Sequence, residues 1–447
     1  MNLDCHYYGT YYVALKAGFS GEDAHEIAWA AQTVDECHID NLEAAMDLAE
    51  KKGRRGDFDR NFIMTVLDTD DDVRHSFSAN ALTETAGETN QIMLAAVRAI
   101  WMPFHFLPGN CAAAVGYGRV ERYNGEYPNF LNLSNPDYNQ NMHDMMLICR
   151  SSSETCRRMI ETAKAQYDLW KDRNRRKALF AVGIAMHVLA DTWSHEFFVG
   201  SPNGYINGIN SERKETYTPE FGVSVLRVFQ GASQSPYTYE AIGHGLAGYI
   251  PDIPYRGNEY KIYHAYKSKC REGDKFEYRN NRQRFYRAFQ QMLSSMRYIA
   301  GGQKESGDDK KAPDVLSDYE MPSDCLSPVR ELFETRYEDK WHGGRREPSD
   351  EEGLELWRKL LEKHGGVNAE KYLFLEKGID SIIDFMEMAK NHREGIVDYV
   401  ESWPGLGRIF SVQSARSGAL FSTDGCVRKY YNKMSWFNTK VTEEEAQ

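Results

Sequence analysis

The sequence of 447 residues predicts a mainly α-helical protein. Along most of the chain, apolar residues recur at intervals of three and four, which is the spacing that gives a helix one buried face. One segment, residues 178–198, is apolar on nearly all sides, as a helix in the centre of a protein would be. Hydrophobic residues make up 41% of the chain, so a substantial core can form around such a helix.

The individual elements follow from local start, stop and spacing signals. Ser20 with Asp23 three residues later is a typical helix start, and a helix is expected from about Gly21 to Glu36. Residues 62–69 are expected to form a short strand, and residues 101–118 an apolar loop with prolines and glycines. Further helices are expected over residues 42–51, 142–170, 178–198, 276–298, 354–364 and 369–400.

A polar stretch divides the chain into a longer N-terminal and a shorter C-terminal part. Residues 301–313 read GGQKESGDDKKAP, which is typical of a flexible linker. We therefore expect a helical domain over residues 1–300, a polar linker or insertion over 301–350, and a helical C-terminal extension over 351–447. The extension carries no catalytic signature, which leaves a protein partner or an oligomer contact open for it.

The charge and the termini limit the classes of function. A net charge of -12 argues against binding of duplex nucleic acid, which needs a broad basic surface. A phosphate-ester substrate remains compatible, because bound cations can invert the local charge. The chain has no signal-peptide pattern and no apolar run long enough for a transmembrane segment, so a cytoplasmic location is expected. Its eight cysteines form no CxxC motif, which disfavours a thiolate zinc site.

The central helix carries three side chains of the kind that bind metal ions. His187, Asp191 and His195 recur every four residues, so a helix places them within a band of roughly 80°. Their neighbours are apolar, which means that these polar groups must be hydrogen-bonded, paired or bound to a metal. Two imidazoles and a carboxylate at this spacing favour a divalent metal site over a pair of core histidines.

Several other acids and histidines lie at element ends or in apolar loops. A site for more than one metal ion needs such a set, because ligands must converge from different segments and one carboxylate must bridge two ions. Each of these residues also has a simpler role available, such as a helix-terminal acid, a core histidine or a turn residue. The candidates are His6, Asp35, His105, His244 and Asp252.

A second arrangement competes for the role of metal motif. His143 and Asp144 are adjacent, and together with His105 before them and Asp191 after them they reproduce the residue order of the HD phosphohydrolases. An adjacent His-Asp pair is a common coincidence, and Asp144 at a helix start would also interact favourably with the helix dipole. The polar stripe of the central helix, which consists of His187, Asp191 and His195, is therefore the preferred metal motif.

Five segments resemble a known superfamily. DCHYYGTYYVALKAGFS, AAQTVDE, FHFLPG, HVLADTWSHEFFVG and GHGLAGYIPD look like a family of largely uncharacterised bacterial proteins, a distant branch of the zinc-dependent phospholipase C and single-strand nuclease superfamily. The resemblance covers about residues 1 to 300. It implies an all-helical core, here with additional C-terminal helices, that holds two or three zinc ions, or another divalent metal, and cleaves phosphodiester bonds.

The resemblance also implies a distribution of ligands. His187 and Asp191 would form the central pair, with the Asp191 carboxylate bridging two ions, and Asp35 and His105 would complete one site. His195, His244 and Asp252 would form a second site and His6 a third. Asp35 would also be the general base for the attacking water, which makes Asp35 and Asp191 the expected catalytic residues. The alternative is a metal-stabilised helical binding or effector module without catalysis.

Overall fold

The protein is mainly α-helical, as predicted. The computed structural model describes residues 2–66, 88–110, 144–201, 204–207, 242–247, 250–255, 260–263, 276–301, 325–338, 345–366, 372–404, 406–413 and 420–422. The helices are α1 (Thr10–Ala17), α2 (Gly21–Glu36), α3 (Ile39–Lys51), α4 (Arg55–Asn61), α5 (Glu88–Phe104), α6 (Glu154–Trp170), α7 (Arg175–Ser194), α8 (Gly204–Asn207), α9 (Asn281–Ile299), α10 (Ser327–Glu334), α11 (Asp350–Lys363) and α12 (Gly378–Glu401).

Short antiparallel ladders and irregular turns complete the described structure. The ladders pair β1 (Tyr260–Tyr263) with β2 (Phe276–Arg279), β3 (Tyr337–Glu338) with β4 (Arg345–Arg346), and β5 (Val412–Gln413) with β6 (Leu420–Phe421). A π-helix, Asp4–Gly9, precedes α1, and two 3-10 turns cover Gly245–Ala247 and Ile250–Asp252. Of the helices in the described ranges, none is both long enough and apolar enough to cross a membrane.

Helix α7 is the centre of the fold. It contacts α2, α6, α9 and α12, and every residue from Ala178 to Ser194 is buried. The closest approach is to α2 at Gly183, where an added Cβ would overlap the Ile27 carbonyl oxygen and lie 2.8 Å from the Ala30 Cβ. Only glycine permits this separation of the two backbones. The crossing brings the C-terminal half of α2 alongside the polar stripe of α7.

The C-terminal helices pack into the same hydrophobic core as the N-terminal ones. Trp29 on α2, Phe180 on α7 and Phe385 on α12 form a ring cluster with centroid separations of 5.1 to 6.4 Å. The Trp29 indole also donates a hydrogen bond to the Leu373 carbonyl oxygen. Helix α12 thus contributes to the core around α7, and Trp357 of α11 belongs to the same hydrophobic core. The division of the chain at residues 301–350 stays a prediction, and residues 302–324 of that linker lie outside the described part.

Several local predictions need correction. The N-cap at Ser20 is confirmed, since its side chain accepts a hydrogen bond from the Asp23 backbone. Residues 62–65 form no strand, and residues 67–69 lie outside the described part. The helix expected over residues 142–170 is interrupted: residues 144–146 are helical, residues 147–153 are not, and α6 begins at Glu154 after the Ser153 cap. Residues 101–104 continue α5 despite Pro103 instead of starting a loop. Residues 276–279 form strand β2 before α9 begins, and α7 ends at Ser194, one residue before His195.

We expect the protein to lose stability in mild acid through His392. Its ring packs on Phe104 and its Nε2 lies 2.9 Å from the Pro103 carbonyl oxygen, which can only accept a hydrogen bond. Burial lowers the pKa of His392 to about 4, so the folded protein holds a neutral ring that the unfolded chain would protonate below about pH 6.5. Stability should therefore fall by about 2–3 kcal/mol between pH 6.5 and pH 4.

Urea unfolding of the wild type and of His392→Gln at several pH values would measure this contribution. Glutamine keeps an N–H donor but cannot be protonated, so the variant should show a shallower decline over that window. His38→Gln, which changes a partly exposed ring, serves as the control. Equal pH profiles for the wild type and His392→Gln would exclude this role for His392.

Candidate metal centre

All eight residues predicted as metal ligands lie in three neighbouring groups that could hold metal ions. The groups are His6 with Asp35 and His187, His105 with His187 and Asp191, and His195 with His244 and Asp252. The ligands come from the π-helix, the last turn of α2, the residue after α5, helix α7 and two short segments near residues 244 and 252. The ligand atoms of these groups, drawn from the described residues, are imidazole nitrogens and carboxylate oxygens.

Asp191 belongs to the second group and also faces His6 of the first. Its Oδ1 lies 3.1 Å from His6 Nε2, whereas its Oδ2 lies 3.2 Å from His105 Nδ1 and 3.3 Å from His187 Nε2. The two oxygens thus face different imidazoles. A carboxylate in this position can bridge two cations, with one oxygen on each.

The spacing around Asp191 Oδ2 matches a tetrahedral zinc site. Ligand atoms at 2.0–2.1 Å from a tetrahedral ion are about 3.3 Å from one another. His105 Nδ1 and His187 Nε2 are 3.3 Å apart, and each is equally close to Asp191 Oδ2. Asp35 Oδ1 lies farther from this set, 3.7 Å from His105 Nδ1 and 3.6 Å from His187 Nε2. The three closer atoms would supply three corners of a tetrahedral site and leave the fourth for water.

His6 supports the same interpretation from the other side of Asp191. Its ring is buried and stacks on that of His187, with centroids 3.8 Å apart. Neither ring nitrogen makes a hydrogen bond to the described residues, although Nε2 lies 3.1 Å from Asp191 Oδ1 and 3.7 Å from Asp35 Oδ2. Buried polar atoms are rarely left unsatisfied. A cation bound between these three atoms would give His6 Nε2 the partner that it otherwise lacks.

The third group gives independent evidence for a cation. His195 Nδ1 lies 2.6 Å from the His105 carbonyl oxygen, and because a carbonyl only accepts, Nδ1 carries the proton. Burial lowers the pKa of His195, so its ring is neutral and Nε2 presents a lone pair. That lone pair faces Asp252 Oδ1 at 3.1 Å. Two acceptors at this distance repel each other unless a cation lies between them. His244 Nε2 lies 3.1 Å from the other Asp252 oxygen and would join the same site.

The electrostatics keep most of the ligands in the form that binds metal. Burial lowers the pKa of His187 well below its usual value, which keeps the imidazole neutral. The pKa of Asp191 lies well below its usual value even though burial opposes the shift, so its carboxylate is ionised. Metal ligands must be deprotonated, so this state is ready for a cation without proton release.

Asp35 differs from the other carboxylates of the centre. Its side chain is 25% exposed, whereas Asp191 is 1% exposed. Burial raises the pKa of Asp35, and the nearby imidazoles of His6 and His105 only partly oppose the shift. A carboxylate that faces solvent and takes up a proton more readily than usual is suited to exchange a proton with water.

Several supporting contacts had no signal in the sequence. The Thr65 carbonyl oxygen accepts a hydrogen bond from His105 Nε2 at 3.0 Å, which directs Nδ1 towards Asp191. Phe106 stacks on the His195 ring with centroids 4.5 Å apart. Gly243 has a φ of +53°, and a Cβ there would overlap the Phe106 ring. These residues fix ring orientations, but periodicity and motif spacing do not identify them.

The residues of the competing HD arrangement lie differently. Asp144 is buried and forms an ion pair of 2.9 Å with Arg98, whose Nε lies 3.3 Å from the Ser201 hydroxyl. Asp144 belongs to none of the three groups found in the described residues. His143 lies outside the described residues, so an HD-type use of this pair stays a prediction. His105 and Asp191, which both hypotheses share, are in contact with each other.

Fold and site together define a mainly α-helical protein whose described residues include three His/Asp groups that could hold metal ions. The chain belongs to a family of unknown function, DUF6765, whose family model matches residues 1–446. The match covers the N-terminal helices, the candidate centre and the C-terminal helices alike. No curated protein and no solved structure matches the chain.

Proposed function

We propose that the protein is a metal-dependent hydrolase that cleaves phosphodiester bonds with a metal-activated water, and that it is a distant branch of the zinc-dependent phospholipase C and single-strand nuclease superfamily. The observation that carries the proposal is the position of Asp191, whose two oxygens face separate imidazole sets 3.1 to 3.3 Å away. Paired cations on one carboxylate are the arrangement that phosphoryl-transfer enzymes use repeatedly.

Zinc is the metal that the ligand chemistry favours. The three groups supply five imidazoles and three carboxylates, and imidazole ligands suit zinc far better than magnesium or calcium. The separations near 3.3 Å around Asp191 Oδ2 fit the short bonds and tetrahedral geometry of zinc. Other divalent transition metals accept the same ligands.

The residues of the centre have distinct tasks in the proposed reaction. Bound ions would supply positive charge that lowers the pKa of water and stabilises the developing charge on the phosphate oxygens. Asp191 holds the two imidazole sets together from the protein interior. Asp35 lies at the solvent-facing edge, and one of its oxygens accepts the proton of the attacking water. The Thr65 and His105 carbonyl groups hold the rings of His105 and His195 in place.

The partial exposure of Asp35 favours catalysis over a purely structural metal site. A structural site encloses its ion in protein ligands, whereas a catalytic site keeps one position open. In the first two groups only Asp35 reaches solvent, with 25% of its side chain exposed, while His6, His187 and Asp191 are buried. Water and a substrate phosphate can therefore approach from the Asp35 side.

The proposal is tested by metal analysis and turnover on the same samples. The purified wild type should contain two or three zinc ions per chain and hydrolyse bis-p-nitrophenyl phosphate. Dialysis against a chelator should abolish turnover, and zinc should restore it better than magnesium. Metal without turnover on this substrate, on phosphatidylcholine or on single-stranded DNA would favour the non-catalytic module. A chain without metal would refute the proposal, and loss of metal in His143→Ala but not in His195→Ala would favour the HD-type arrangement.

A further inference from the structure

A network of polar contacts surrounds the end of α7, next to His195, the last residue of the polar stripe. Arg284 on α9 donates from Nη1 to the Trp193 carbonyl oxygen at 3.2 Å and to Glu196 Oε2 at 2.7 Å. The other Glu196 oxygen accepts from the Ser151 hydroxyl at 2.9 Å. One arginine thus connects the last turn of α7 with the segment that follows it. His195 lies between the two contacted residues.

The electrostatics of a helix end explain why an arginine is needed there. The last carbonyl groups of α7 have no partner within the helix and carry partial negative charge. Glu196 adds a full negative charge at the same end, which is unfavourable without a cation. Arg284 and Glu196 are only 16% and 14% exposed, so water screens this repulsion poorly. The guanidinium neutralises both sources of charge at once.

The backbone after His195 is strained, so it needs external support. Phe197 has a φ of +74°, a left-handed conformation that bulky residues rarely adopt. The turn is held by hydrogen bonds between Phe197 and Cys149 and between Cys149 and Phe198, and the Arg150 guanidinium lies over the Phe197 ring. Without the contacts at Glu196, the chain could relax towards an ordinary φ. Such a relaxation would rotate the adjoining His195.

We infer that Arg284 is a positioning residue for the third metal group: through Trp193 and Glu196 it holds His195 in place beside Asp252 and His244. The inference rests on the proposed function, because it assigns Arg284 to the ion held by that group. A second contact comes from Gln291, which lies about two turns after Arg284 on the same face of α9. Its side-chain oxygen accepts a hydrogen bond from the Trp193 indole at 2.9 Å. Helix α9 therefore fixes both the backbone and the side chain at this point.

The inference predicts a selective effect on one ion. In Arg284→Met the zinc affinity of the third group should fall about tenfold, as is typical when a supporting contact to a ligand is removed. The ions at Asp191 should be retained. Turnover on bis-p-nitrophenyl phosphate should fall at limiting zinc and recover at excess zinc, which a collapsed structure would not do. Arg284→Lys keeps the cation and should restore part of the affinity.

Arg287→Met provides a matched control on the same helix. Arg287 is exposed and makes no ion pair with the described residues, so its loss should leave all zinc affinities unchanged. Chelator competition with zinc, and the absorption spectrum of the cobalt-substituted protein, would report each site separately. Unchanged affinities in Arg284→Met would overturn the inference, as would equal weakening of every ion together with a lower stability of the metal-free protein. A wild type that binds no metal would instead refute the proposed function.

Discussion

Asp191→Asn should lose the ions of the first two groups and with them almost all turnover. Asparagine has nearly the same volume, but it offers one oxygen and an NH₂ group that cannot ligate. Because the two Asp191 oxygens face His6 on one side and His105 and His187 on the other, the substitution removes the bridge itself. We expect the zinc affinity to fall by more than about 100-fold, more than loss of a supporting contact would cost.

Stability measurements can detect this loss without an assay of activity. Saturating zinc at about 1,000 times its dissociation constant should stabilise the wild type by about 4 kcal/mol, because the ion binds only the folded chain. Asp191→Asn should gain little from zinc over the same range. Asp168→Asn is the control, since Asp168 lies on the surface of α6 in ion pairs with Lys164 and Lys171. An equal response to zinc in wild type and Asp191→Asn would contradict the assignment.

Gly183→Ala should destabilise the protein by about 3 kcal/mol and disturb the metal centre from a distance. The added methyl group would overlap a backbone oxygen of α2, and a backbone cannot move aside as a flexible side chain can. Helices α2 and α7 would have to separate. Asp35 at the end of α2 would then move away from His187, so zinc affinity should fall together with stability.

Gly395→Ala tests whether the effect is specific to the crossing. Gly395 lies inside α12, where an added Cβ would meet only the Thr162 methyl group at 3.7 Å, an ordinary contact. Alanine favours a helix over glycine by up to about 1 kcal/mol, so this variant should be neutral or more stable. Urea unfolding and zinc titration of both variants would decide. A stable Gly183→Ala with normal zinc affinity would show that the two helices have room to adjust.

The eight ligand candidates could be predicted because metal-binding side chains in apolar surroundings are conspicuous in a sequence. His187, Asp191 and His195 share one helical edge by spacing alone; in the structure His187 and Asp191 share one group, and His195 belongs to the neighbouring one. The position of further acids and histidines at element ends or in apolar loops added His6, Asp35, His105, His244 and Asp252. Local errors arose where tertiary contacts overrode local signals, as at residues 101–104, which continue α5 through a proline.

The helical class, the buried central helix and the residues that could bind metal are predictable from the sequence, because each depends on the spacing and polarity of neighbouring side chains. The division of the ligands into groups, the imidazole that each Asp191 oxygen faces, and the exposure of Asp35 depend on how distant segments pack together. The tertiary structure also revealed Thr65, Phe106, Gly183 and Arg284. Their roles come from backbone carbonyl groups, ring stacking and close helix contact between segments far apart in the chain, which no local pattern records.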